Sequence, residues 1–243
     1  MLSKHTPWIN IKKTDRYRAI SDLVRESRGT NLYYSLLVLS SIIITAGLLL
    51  ANSAILIGGM LVAPVLTPIL LISLGIVTSR TRVIKNTAKL ILKSMGIIFV
   101  VSFLASLMFD TPENTEFFSS SLFNNTISSA FLYFLVALAS GVAATLSWIR
   151  KEVSNVLPGI SIAVSLVPPV ALVGIWLAQN NIDAARFYFV VFLFNLFGII
   201  MSSMVIFSML RFYNEADEVL YNSNQANKMD RLSKKNNNEN SIS

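Results

Sequence analysis

At 243 residues, with 53% hydrophobic and 14% charged residues, the chain is too apolar for a soluble domain, which carries about 25% charged residues. The absence of cysteine excludes disulfides, thiolate metal sites and cysteine nucleophiles. The net charge of +7 follows membrane-flanking segments, so nucleic acid is not expected as a partner.

Residues 1–31 read as a cytoplasmic segment. The first thirty hold polar and charged runs without the apolar core of a cleavable signal, so the first span is expected to act as signal anchor. The single histidine, His5, has no second ligand nearby and reads as a surface residue. Over 14–28 the spacing predicts an amphipathic helix with Tyr17, Ile20, Leu23 and Val24 on one face. Arg16, Arg18, Arg25 and Arg28 would then meet lipid head groups or water, and Gly29 suits the C-cap.

A first membrane unit follows over 32–110, with apolar segments at 32–51, 53–78 and 87–109. Asn52 alone separates the first two, which are expected to pair as a tight hairpin. Residues 111–126 form a polar external loop with a turn at Thr111-Pro112-Glu113-Asn114. The second membrane unit, 127–211, has apolar segments at 127–149, 156–177 and 184–210. The fold class is thus all-α: a polytopic membrane protein with about six transmembrane helices. The tail, 212–243, turns polar and asparagine-rich and is expected to be disordered.

Charge sets the expected orientation. With the N-terminus cytoplasmic, seventeen basic residues lie inside and only Arg186 lies outside, beside Asp110, Glu113, Glu116 and Asp183. That asymmetry places both termini in the cytoplasm, in a cytoplasmic (inner) membrane.

A faint repeat runs through the chain. Sliding it by 101 residues lays Ser53 on Ser154, Gly58 on Gly159 and Pro68 on Pro169; sliding by 102 lays Gly96-Ile97-Ile98 on Gly198-Ile199-Ile200. Two sets of three spans imply a 3+3 inverted repeat, because an odd unit returns the chain on the opposite side.

The second and fifth spans carry the residues of most interest. Gly58, Gly59, Pro64, Thr67 and Pro68 interrupt one; Gly159, Ser161, Ser165, Pro168 and Pro169 interrupt the other. A proline removes a donor and frees the carbonyl four residues earlier, and lipid cannot satisfy it. Thr67, Ser161 and Ser165 are local compensators, and the paired breaks define a candidate midplane site for an ion or small solute. Lys93, on a face shared with Arg82, Lys85 and Lys89, lies inside the third span. There an unrescued ammonium costs on the order of 2–3 kcal/mol. It either snorkels to the cytoplasmic interface or belongs to a basic stripe that guides an anion or a lipid phosphate toward the midplane. Anionic lipid head groups are the expected partner of Arg82, Lys85 and Lys89. At the 102 shift Lys93 lies opposite Asn195, another polar residue within a span.

No Asp or Glu lies inside a span, no phosphate-binding Gly-Lys-Ser/Thr loop occurs, and no catalytic or metal-ligating set is present. Neither an enzyme activity nor a cofactor is expected. Ser140, Ser147, Ser202 and Ser203 read as small packing residues.

The elements Ala-Gly-Leu-Leu-Leu, Ile-Leu-Ile-Gly-Gly-Met-Leu and Ala-Pro-x-x-x-Pro-Ile, between Leu39 and Gly75, form one signature. Val156-Leu157-Pro158-Gly159 with Leu166-Val167-Pro168-Pro169-Val170 form a second. Both resemble a bacterial and archaeal membrane family, domain of unknown function 389, over roughly 32–210. Gly59 stands where that family has alanine. The resemblance implies the architecture and brings no activity with it. The functional expectation is a transporter or channel-like permease, assembled as a homo-oligomer to enclose a pathway. The alternative is a non-transporting scaffold or sensor acting through the basic N-terminal helix.

Overall fold

A computed structural model of the chain describes residues 11, 13–109, 127–149, 157–213, 216 and 219. His5, the external loop 111–126 with its turn, Arg150, Lys151 and the end of the tail lie outside the described residues. So do the side chains of 127–131, 133 and 157–165.

Among the described residues there are eight helices and no strand. They are α1 Lys13–Glu26, α2 Asn31–Leu49, α3 Ser53–Val62, α4 Leu66–Val77, α5 Thr81–Met108, α6 Ile127–Ile149, α7 Leu157–Ala178 and α8 Ile182–Met209. α2, α5 and α8 are each long and apolar enough to cross a membrane. α3 and α4 pass the same test as a pair but bend by 53° between them. The chain is a helical membrane protein.

Side chains or backbone close several of the helix ends. Asn52 accepts from the N–H groups of Ala54 and Ile55 at the start of α3, and Asn181 from that of Ala184 in α8. α2, α4, α7 and α8 all end on a left-handed residue: Ala51, Ser79, Asn180 and Arg211, with φ of 50–60°. After each, the next N–H reaches back five residues: Asn52 to Gly47, Arg80 to Gly75, Asn181 to Trp176 and Phe212 to Phe207.

Several helix ends and buried positions recur at an offset of 101 residues. Val77 and Ala178 end α4 and α7, while Thr81 and Ile182 begin α5 and α8 and Met108 and Met209 end them. The left-handed Ser79 and Asn180 obey the same offset. So do the buried pairs Leu90/Val191, Ile91/Phe192, Ser94/Asn195, Ile98/Ile199 and Ser102/Ser203. Within each half the helices pack on one another, and between halves α5 packs on α7 while α8 packs on α4.

The structure departs from expectation in four places. The second span is broken, but α7 runs through as one helix with Pro168 and Pro169 inside it. At the 101 offset Pro64 corresponds to Ser165, which keeps its N–H and leaves the preceding residue free to stay helical. The same offset sets Ser94, not Lys93, opposite Asn195. The face of α1 buries Ala19, Ile20 and Leu23 against α4 and α6, whereas Tyr17 is 43% exposed. Finally, the tail does not leave the fold at residue 212. Phe212, Ala216 and Val219, at helical spacing, are buried, and the Phe212 ring lies edge-on to Phe207.

Candidate functional site

The backbone between α3 and α4 follows from one residue, Pro64. A proline disfavours the helical region for the residue before it, and Ala63 is extended, with φ −68° and ψ 117°. Pro64 also has no N–H to offer the carbonyl of Met60; the Ala63 N–H closes on that carbonyl instead, at 3.3 Å. Pro68 plays a different part. It is the third residue of α4, where its missing N–H would have had no partner within the helix. No side chain caps the start of α4. A helix C-terminus with surplus carbonyls and a helix N-terminus with surplus N–H groups therefore meet inside one bent apolar pair.

Around this break, Ala63 and Pro64 are half-buried, and Val65, Thr67 and Pro68 are buried. Gly59 faces α2: a Cβ there would lie 2.8 Å from the Ile44 backbone nitrogen, and 2.7 Å from its side chain. Gly58 faces outward with nothing within 4 Å.

The second cluster sits on α7. Pro168 and Pro169 are buried, and in a continuous helix they strip the carbonyls of Val164 and Ser165 of their usual donors. Gly159, Ser161 and Ser165 lie on the same helix, with their side-chain positions outside the described residues. α3 packs along α7 and α4 touches it, so the two proline clusters belong to helices in contact. Asn195, 1% exposed, lies on α8, which packs on both α4 and α7. Lys93 is not brought to this place: it is exposed on the outward side of α5.

Helices α2–α8 carry one carboxylate among the described residues, Asp183 in the first turn of α8. The break offers dipoles and no formal charge. Carbonyl ends favour a cation, and the N–H end of α4 favours an anion.

Sequence reasoning missed the hydroxyl ties that hold this frame. Tyr33 and Ser94 share a hydrogen bond of 2.8 Å, and Thr45 and Ser102 one of 2.9 Å, joining α2 to α5. The signal was the spacing of Ser41 with Thr45, and of Ser94 with Ser102, each pair on one helix face. Gly174 lets α7 approach the backbone of α5, where a Cβ would lie 2.7 Å from the Phe99 carbonyl oxygen. Ser140, Ser147, Ser202 and Ser203 are all buried.

A family model described as domain of unknown function (DUF389) matches residues 60–201. The chain is 26% identical over 200 residues to an uncharacterised protein of Methanocaldococcus jannaschii, covering 81% of this chain and 58% of that protein. It thus spans well under two thirds of the curated relative it matches. No solved structure matches the chain.

Proposed function

The chain belongs to the domain of unknown function 389 family, whose model covers more than half of it, and on that premise we propose that it is a six-span permease. It carries an ion or small solute through a midplane site between the second and fifth spans. The spans are α2, α3 with α4, α5, α6, α7 and α8, arranged as a 3+3 inverted repeat. The shared helix ends at the 101 offset support the repeat, as does the reciprocal packing of α5 on α7 and α8 on α4. Seventeen basic residues on one side against Arg186 on the other support cytoplasmic termini.

The observation that carries this reading is the uncapped 53° break between α3 and α4. Exposed backbone dipoles at membrane depth are tolerated where protein or a water-lined cavity meets them, and they are the groups that replace hydration around a small ion. The alternative, a scaffold or sensor working through α1, draws on its basic outer face. The apolar face of α1 is already filled by α4 and α6, so a partner would have only its basic outer face.

Flux of a panel of small ions and solutes into liposomes holding the purified protein tests the proposal, with Pro64→Ala as the comparison. Alanine at 64 removes the constraint on Ala63 and lets the helix run through. We expect flux in the parent and a loss on the order of tenfold or more in the variant, a factor equal to about 1.4 kcal/mol on the barrier. Both proteins should insert equally and elute alike. A parent that passes nothing across the panel, or a variant that passes as much, overturns the proposal.

A further inference from the structure

We propose that the outward face of α5 binds the phosphate of an anionic phospholipid, with Lys89 and Lys93 as the clamp. Arg82, Lys85, Lys89 and Lys93 are all exposed. At 3.6 residues per turn they share one stripe, opposite the buried face formed by Thr87, Leu90, Ile91, Ser94, Ile98 and Ser102. No ion pair joins any of the four to an acidic group among the described residues. Further along the same stripe lie Val100, 49% exposed, and Leu107, 59% exposed, which mark it as the lipid side.

Depth supports a phosphate as the counter-ion. Fifteen uncharged residues, Ser94–Met108, separate Lys93 from the far end of α5, a length of about 22 Å. The hydrocarbon layer is about 30 Å thick. With Met108 at the far boundary, the Lys93 backbone lies about 8 Å below the near one. An extended lysine spans most of that distance, so its ammonium rises to the level of Lys89, one turn closer to the surface. Two like charges four residues apart repel each other. A phosphate between them answers both ammonium groups at the depth where head groups begin.

The second half of the chain serves as an internal control. At the 101 offset Lys89 becomes Val190, Lys93 becomes Phe194 and Gly96 becomes Phe197, all exposed on the outward face of α8. The scaffold therefore does not require a basic stripe there. Gly96, one turn beyond Lys93, has nothing within 4 Å of where a side chain would begin. It leaves an open notch beside the clamp, where Phe197 fills the equivalent place. A basic, notched face in one half and an apolar, bulky face in the other fit a lipid of one leaflet, and the positive-inside orientation makes that leaflet the anionic one.

The test reconstitutes the full chain in phosphatidylcholine bilayers containing spin-labelled phosphatidylglycerol or spin-labelled phosphatidylcholine, and reads the fraction of label immobilised at the protein. The parent should prefer phosphatidylglycerol on the order of tenfold. Lys89→Gln/Lys93→Gln should lose that preference, and Lys89→Arg/Lys93→Arg should keep it. No preference in the parent, or an undiminished one in the glutamine variant, overturns the proposal. So does a glutamine variant that changes oligomeric state while the parent shows no lipid preference, since a second copy of the chain would then cover this face.

Discussion

Gly58 and Gly59 are neighbours in sequence and opposites in consequence. A methyl group at 59 would press on the backbone and side chain of Ile44, while one at 58 would meet nothing. Gly59→Ala should therefore destabilise the protein by about 1–3 kcal/mol through overpacking. Gly58→Ala should leave stability unchanged or slightly raised, because alanine is the better helix former by about 1 kcal/mol. Denaturation in mixed micelles would separate the two, and equal midpoints would mean that α2 and α3 are not seated on each other as described. The pair was legible in the chain as a place where backbones approach or break. Which glycine did which was not, because that depends on the facing helix. The same holds for Lys93: its cost inside a span could be read, whereas its direction required the buried face of α5.

Long apolar stretches announced the helices, and residues 127–149 emerged as one with the ends expected of it. The apolar run of α5 begins at residue 87, but the helical spacing of Arg82, Lys85, Lys89 and Lys93 already extends the helix toward its start at Thr81. Pro64 was legible as a break and Pro168-Pro169 looked like its twin. Position within the element decides between them: Pro64 stands between two helices, and the α7 prolines stand within one. The docking of α1 was hidden, because an amphipathic face looks the same whether lipid or protein covers it. Trp148 supplies the missing half, donating its indole N–H to the Ala19 carbonyl at 3.0 Å, while Arg18 reaches the Ile149 carbonyl at 3.4 Å. Trp148→Phe should cost about 0.5–1.5 kcal/mol of docking. Amide exchange in residues 13–26 should rise several-fold while α2–α5 keep their protection. Unchanged exchange in α1 would show that its apolar contacts suffice without the hydrogen bond.

For the whole molecule, the proposed inverted repeat predicts a topology that can be tested at the helix ends recurring at the 101 offset. Thr81 and Ile182 open α5 and α8 at equivalent places, and both are exposed. In an inverted repeat they face opposite sides of the membrane. The chain lacks cysteine, so Thr81→Cys and Ile182→Cys can each be labelled alone in intact cells with a membrane-impermeant maleimide. Only Ile182→Cys should react from outside, with Thr81→Cys reacting after the membrane is opened. Labelling of both from the same side would refute the inversion. Equivalence does not extend to how tightly the parts are joined. In the first half the close seam is between α2 and α3, where Gly47 meets Leu56 and Gly59 meets Ile44. In the second it is between α6 and α8, where Gly141 meets Ser202 and Gly198 meets Ala137. α4 belongs to neither hairpin: it leans on α5 and on α8, across the divide. The three residues from Ala63 to Val65 thus connect the closely seated α2–α3 lever to a helix shared between α5 and α8. With no helical hydrogen bond running through it, that joint is where such a lever turns most easily.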